Sequence, residues 1–432
     1  MHIAFVDSTI TALPVLRCAK ELGHRVTFVQ PVHPLYPPTE ESREYLDLAD
    51  HLVGPTDIAD PDAVYEVLRE VHAQTPLDLV NSQSEPATVA TTLAGRRLGL
   101  RGTPPEAVAT ARRKDRCRAA LRDAGLATAD FARVDSVDAA VAEAARIGYP
   151  VICKPPSAAM SLLSFVANDA DEVRNACTQI LAGASTQAAV WRPYLSEGVL
   201  VEELLQGPMV SVEIGIRDGA VYPFCVTGRF RWHEREVAEL GSYLPADLSP
   251  DQTAACIDYA TAVCHAIGAN LGVFHLEMIV TTRGPVLVEF NPRTMGGGLP
   301  TAYHHATGHE IHRAVVQLIT GSSTVDVPPL RDGCTAVCAV STRAQGTLSP
   351  TASLTRLHED PAVHEVLGLE HYNAHPGAPV PADTVVARFI LLGASLAEVR
   401  TRMTALLRGL ETDLTLNLMI GDKDGVAQRT AA

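Results

Sequence analysis

Lysine is scarce in this sequence. Of its 35 basic residues only four are lysines, Lys20, Lys114, Lys154 and Lys423. Arginine serves wherever any cation will do, so a retained lysine is a candidate for work that needs a compact ammonium on a flexible stem. Long apolar runs are missing: nothing approaches the roughly 18–20 residues of a membrane span. The start, Met1-His2-Ile3-Ala4-Phe5-Val6-Asp7, has no basic cluster and no small-residue cleavage site. A cytoplasmic location is expected, with no membrane partner. Positive charge is in deficit, the net value being −15. That disfavours broad phosphate-backbone binding, so no nucleic-acid partner is expected. The nine cysteines are scattered and odd in number, and Cys334 and Cys338 have no second Cys/His pair at zinc spacing. Buried free thiols are expected. His305, His309 and His312 fall at i, i+4 and i+7, but Gly308 interrupts them and no acidic pair completes a tetrahedral set. Zinc is set aside.

What is present is globular: 47% hydrophobic and 20% charged residues. The 432 residues suggest about two to four domains. The first hundred alternate strand and helix: Ile3–Val6, Leu13–Leu22, Val26–Val29, Ala63–Val71, Leu77–Val80 and Ala87–Leu98. This predicts a parallel sheet covered by helices. The turn after the first strand, Asp7-Ser8-Thr9-Ile10-Thr11, has no glycine, which excludes the dinucleotide fingerprint. Thr103-Pro104-Pro105-Glu106 reads as a helix start with Thr103 as N-cap. A helix around Lys114–Arg122 and a strand ending at Lys154 follow. From Val199 the pattern becomes antiparallel, with Asp218-Gly219 as a hairpin turn. Arg229, Arg231, His233 and Arg235 are expected in a loop. The end, from Asp422, reads as a polar tail.

The most informative stretch runs from His275 to Arg293. With Thr282-Arg283-Gly284 as the turn, Glu277 faces Glu289 and His275 faces Asn291. Facing like charges destabilise a strand pair, and Leu276, Ile279, Leu287 and Phe290 make this an apolar neighbourhood. A hard cation such as Mg²⁺ explains the arrangement, because it takes oxygen ligands and bridges carboxylates to phosphates. Asn291 adds an amide oxygen and Arg293 a fixed cation. Gly296-Gly297-Gly298 lets backbone N–H groups approach an anion. These residues suit a phosphorylated species.

The order of motifs resembles the ATP-grasp ligases. The matching elements are Lys114, Val151-Ile152-Cys153-Lys154, the 155–165 loop, Val199–Leu205, and Glu277…Glu289-Phe290-Asn291-Pro292-Arg293. Glu239–Ala246 and Asn291–Gly297 are similar to the branch that joins unprotected amino acids, the L-amino-acid ligases. The resemblance implies an α/β (α+β) ATP-grasp fold: a parallel α/β domain over 1–103, a two-part nucleotide-binding region over 104–330 with a lid at about 128–205, a mixed domain over 331–421, and a flexible tail over 422–432. It implies ATP and two Mg²⁺ ions, with Mn²⁺ as a substitute, and an amino acid and an amine as substrates. A homodimer is one compatible assembly.

By the same resemblance, Lys114, Lys154, Ser161, Glu202, Glu203, Leu205 and Glu213 contact ATP. Glu277, Glu289 and Asn291 hold metal. Glu239, Arg293, Gly296 and Gly297 meet substrate. Arg293, Lys154 and Gly297 act in catalysis. The 155–165 loop departs from the family by lacking glycine, which leaves Ser161 as a donor in place of backbone N–H groups. The implied reaction is amide formation through an acyl phosphate. The alternatives are an ATP-grasp enzyme that activates another carboxylate or bicarbonate, and a degenerate, non-catalytic nucleotide-binding protein.

Overall fold

The computed structural model describes residues 1–34, 39–157, 162–183, 195, 197–232, 235 and 238–422. The chain opens with β1 (His2–Ser8), α1 (Pro14–Glu21), β2 (Arg25–Pro31), α2 (Glu40–Leu46), β3 (His51–Thr56), α3 (Pro61–Gln74), β4 (Leu79–Gln83) and α4 (Thr88–Arg97). The four strands form a parallel sheet in the order β3-β2-β1-β4. Ligands meet such sheets at the carboxyl ends of the strands. Here those ends deliver Asp7, which takes a left-handed φ of +55°, and the segment from Gln83 to Glu85. Burial raises the Asp7 carboxyl above its ordinary value, against a hydrogen bond from Ser84.

Two helices lead onward, α5 (Pro105–Arg112) and α6 (Lys114–Asp123). The cap of α5 is Pro104, not Thr103. The Thr103 hydroxyl instead donates to the Leu271 carbonyl, so tertiary contact displaced the local capping signal. The small second sheet follows: β5 (Phe131–Val134), α7 (Val137–Ile147), β6 (Val151–Lys154), β7 (Phe165–Ala167), α8 (Ala170–Gly183) and β8 (Val199–Glu203). Its antiparallel order is β5-β8-β6-β7. It has its own core, including Val151, Cys153, Ile180 and Val201.

The large sheet begins with β9 (Met209–Arg217), β10 (Ala220–Arg231), β11 (Glu239–Leu244), α9 (Pro250–Ile267), β12 (Leu271–Thr281) and β13 (Gly284–Asn291). Two helices, α10 (Leu299–Thr307) and α11 (Ile311–Thr320), pack with the first domain, Tyr303 and Val315 sharing one core with Phe5 and Leu16. The last elements are β14 (Cys334–Ser341), β15 (Gly346–Thr347), α12 (Thr355–Glu359), β16 (Val363–Leu367), β17 (Pro379–Val380), β18 (Val385–Gly393) and α13 (Leu396–Leu414). The eight-stranded order is β13-β12-β9-β10-β11-β14-β18-β16. Hydrogen bonding between β11 and β14 therefore carries one sheet across the expected boundary at 331, although the C-terminal part has a core of its own.

Arg229 and Arg231 do not lie in a loop. β10 runs on to Arg231 because β11 pairs with it, and both arginines are buried. His233 lies outside the described residues. All nine cysteines are free and buried. Among the described residues no helix is long and apolar enough to cross a membrane.

Candidate active site

The hairpin of β12 and β13 places Glu277 opposite Glu289 and His275 opposite Asn291. The turn differs from the expected one. Gly284, at φ +98°, pairs with Thr281, and a bulge at Val288 restores the register for the residues beyond it. The bulge is itself used, since Arg118 donates to the Val288 carbonyl at 2.6 Å. Both glutamates line a cavity of about 120 Å³ with Lys114, Lys154, Glu202 and Glu239.

Every carboxylate in this wall has a cation. Lys114 Nζ donates to Glu289 Oε1 at 2.6 Å. Lys114 is fixed at the start of α6, where its backbone N–H donates to the Pro156 carbonyl. Across the cavity, Lys154 lies 2.5 Å from Glu202 Oε2, and Arg118 Nε donates to Oε1 at 2.9 Å. Burial would raise the Glu202 carboxyl, but Arg118, Lys154 and Lys114 outweigh it and hold it below the ordinary value. Burial lowers the Lys154 ammonium, with Glu202 opposing and Arg118 and Lys114 reinforcing. Glu203, next along β8, pairs with Arg283 at 2.8 Å.

A second string runs behind the hairpin. His275 bridges Glu213 (2.9 Å) and Glu277 (3.2 Å). Burial disfavours the imidazolium, but these two carboxylates outweigh it and raise the His275 pKa. Arg229 donates to Glu277 at 3.2 Å and lies 3.5 Å from Glu239. Burial raises the Glu239 carboxyl; Arg229 opposes that and Glu277 adds to it. Burial would also raise Glu277, yet His275 and Arg229 hold it well below the carboxylate range.

Arg293 is anchored from the first domain. It donates to Glu85 at 2.8 Å, and Arg112 pairs with the other Glu85 oxygen. Burial would raise that carboxyl, but the two arginines, with Lys114, hold it at about 2. Thr294 donates through backbone and hydroxyl to Gln83, at 3.2 and 2.8 Å. Gly296, Gly297 and Gly298 then lead into α10, with left-handed φ of +63° at Gly297 and +96° at Gly298. Gly298 is the N-cap, with no side chain capping it.

The structure thus gathers Lys114, Lys154, Glu202, Glu203, Glu239, Glu277 and Glu289 around one cavity. Leu205 lines it as well and is buried. Glu213 does not line that cavity: its oxygens accept from Met295 N–H (2.7 Å) and lie against His275. Ser161 lies outside the described residues. The signal for Glu85 and Gln83 was not found in the sequence. Their place at the carboxyl end of β4, where parallel sheets meet ligands, was the available clue.

Among the described residues no group of three His, Cys, Asp or Glu side chains is set to hold a metal ion. His305 and His312 belong to different helices, broken at Gly308. The hairpin offers two carboxylates and the Asn291 amide oxygen, a hard-oxygen set that fits Mg²⁺. The cavity wall carries five glutamates against Lys114, Lys154, Arg118 and Arg231. A triphosphate placed there adds negative charge that the wall does not balance, which again favours a hard cation.

Comparison with known proteins bears on this geometry. Residues 16–102 match the ATP-grasp N-terminal domain, and residues 147–302 match the ATP-grasp domain. The chain is 23% identical over 313 residues to the alanine–anticapsin ligase of Bacillus amyloliquefaciens, covering 65% of this chain and 64% of that protein. It is 29% identical over 220 residues to carnosine synthase 1 of Homo sapiens, covering 50% of this chain and 26% of that protein. The chain thus spans less than two thirds of the length of these relatives. The L-amino acid ligase from Bacillus licheniformis superposes with a TM-score of 0.76 at 19% identity, over 98% of this chain and 99% of that one. At that identity the likeness establishes the fold. The two domain matches cover more than half of the sequence, in the order and with the architecture described above, and the chain belongs to the ATP-grasp superfamily.

Proposed function

We propose that this chain is an ATP-dependent carboxylate–amine ligase that activates the carboxylate of an amino acid and joins it to an amine. The observation that carries the reading is the facing of the Glu277/Glu289 pair and the Lys154–Glu202 pair in one cavity, beside an arginine fixed by Glu85. Alanine–anticapsin ligase and L-amino acid ligase among the similar proteins support the amino-acid substrate.

In this reading a carboxylate oxygen attacks the γ-phosphorus of ATP, and ADP leaves. The amine of the second substrate, deprotonated, then attacks the acyl carbon, and phosphate leaves. Lys154 and Lys114 contribute positive charge to the phosphates. Glu277, Glu289 and Asn291 would hold Mg²⁺, which supplies neutralisation of the phosphate charge. Glu239 receives the ammonium of the amino acid. Arg293 and the N–H groups of Gly296–Gly298 stabilise the tetrahedral oxyanion and the departing phosphate.

A pairwise screen of amino acids tests this, reading phosphate release and product mass together. Amine-dependent phosphate release with a condensed product is expected. Phosphate release that needs bicarbonate or another carboxylate, and no amino acid, would overturn the substrate assignment. Nucleotide binding without phosphate release would overturn the enzyme reading.

A further inference from the structure

Four arginines near the site are paired with acids. Arg112 and Arg293 share Glu85, Arg118 holds Glu202, and Arg229 holds Glu277 and Glu239. Arg388 differs. It stands on β18, in the C-terminal part of the chain, and among the described residues no carboxylate lies within ion-pair distance of it. Its one recorded partner is Tyr372: NH1 donates to the hydroxyl at 2.6 Å, and the guanidinium stands 5.2 Å from the ring centroid. That contact fixes the plane of the fork and leaves NH2 and Nε undirected to any described protein group. The side chain is only partly buried.

Its position ties it to the reacting end of the site. A Cβ on Gly297 would stand 3.8 Å from Arg388 NH2, and one on Gly298 would stand 3.7 Å from Arg388 Cδ. Arg388 thus borders the glycine turn that opens α10. It is also near enough to Glu239 to oppose the rise of that carboxyl. A rigid guanidinium fork matches a carboxylate in bidentate fashion. In an α-amino acid the amine and the carboxylate sit on one carbon, so a fork beside the tetrahedral centre suits the carboxylate of the attacking substrate.

We propose that Arg388 binds the carboxylate of the amine-donating substrate and thereby selects an amino acid over a simple amine. The assignment rests on the ligase reading above. Arg293 already serves the oxyanion and the leaving phosphate from the opposite end of the glycine turn, held there by Glu85. A second cation with the same duty would act on every amine alike. A carboxylate clamp acts on acids alone.

The test uses the full-length protein, with the twenty amino acids and their carboxamides as amine donors at saturating ATP and a fixed acyl donor. The parent enzyme is expected to prefer the acid to its amide by about tenfold or more in kcat/KM, the scale of a charge-assisted hydrogen bond. Arg388→Met should erase the preference by raising KM for the acid, with KM for ATP and turnover of the amide unchanged. Arg388→Lys, which keeps the charge and loses the fork, should fall between them, and it serves if the methionine variant does not fold. Equal loss of acid and amide turnover, or a parent enzyme indifferent to the carboxylate, overturns the assignment while leaving the ligase reading intact. A parent that forms no amine-dependent product overturns both.

Discussion

Glu85→Gln removes one charge at the junction between the first domain and the hairpin. The side chain keeps its shape, but Arg112, whose side chain is 4% exposed, and Arg293, 17% exposed, lose their shared counter-ion. A carboxyl held at about 2 instead of the ordinary 4.5 corresponds, at about 1.36 kcal/mol per pH unit, to about 3 kcal/mol of stabilisation at neutral pH. Removing one partner of a buried ion pair costs roughly 3–5 kcal/mol, in line with that figure. The pKa is depressed on folding, so this contribution is complete above about pH 5 and disappears as pH falls through 4.5 toward 2. Amide hydrogen exchange over 79–87 and 291–298 should be faster in Glu85→Gln than in the parent at pH 7. Denaturant midpoints for the two proteins should converge as pH falls below 4.5. Activity should drop on the order of a hundredfold, because Arg293 loses its fixed position. Unchanged exchange in both segments, or a gap that does not narrow with acid, would refute the argument.

Glu289→Gln should abolish phosphate release by at least about a hundredfold with folding intact, because a charged ligand is lost and no core packing; undiminished release at saturating Mg²⁺ would sink the metal assignment. Lys154→Met should weaken ATP binding about tenfold to a hundredfold, while Arg118 keeps Glu202 paired and the fold in place; calorimetry showing the parent affinity would count against it. Glu239→Ala should raise KM for the amino acid by about tenfold to a hundredfold and leave KM for ATP alone; matched increases would reduce Glu239 to a support for Arg229.

The hairpin was legible because two alternating runs flank a short turn, and alternation fixes which residues share a face. The turn was misplaced by one residue, and the bulge at Val288 compensated, so the facing of Glu277 and Glu289 survived the error. Lys154 was legible as the end of an apolar strand. Glu85 was not, because its partners Arg112 and Arg293 lie 27 and 208 residues away, and no local pattern records such a pairing. Thr103 misled for a related reason: its hydroxyl met a carbonyl 168 residues on and abandoned its cap. Glu213 was expected at the nucleotide, but what its carboxylate meets, His275 on the neighbouring strand and the Met295 N–H, is a property of the assembled sheet.

The distribution of lysine and arginine follows from what each cation must do once ligands arrive. Arg118 grips Glu202 and the Val288 carbonyl together, and Arg293 grips Glu85 and the Thr294 carbonyl. These are forks holding fixed protein groups, and a planar guanidinium loses little freedom in doing so. Lys114 and Lys154 instead hold Glu289 and Glu202 through one terminal nitrogen each. If Glu289 is to take Mg²⁺, Lys114 must release it and turn to phosphate; Lys154 must likewise divide itself between Glu202 and the nucleotide. A rotating ammonium on a flexible stem can change partners without moving the backbone, and a two-point fork cannot. Scarcity alone does not identify such a residue, since Lys20 sits at the surface with Asp50. Scarcity together with burial of the lysine beside a glutamate of the cavity wall does, and it marks Lys114 and Lys154 as the positions where substitution by arginine should fail despite the conserved charge.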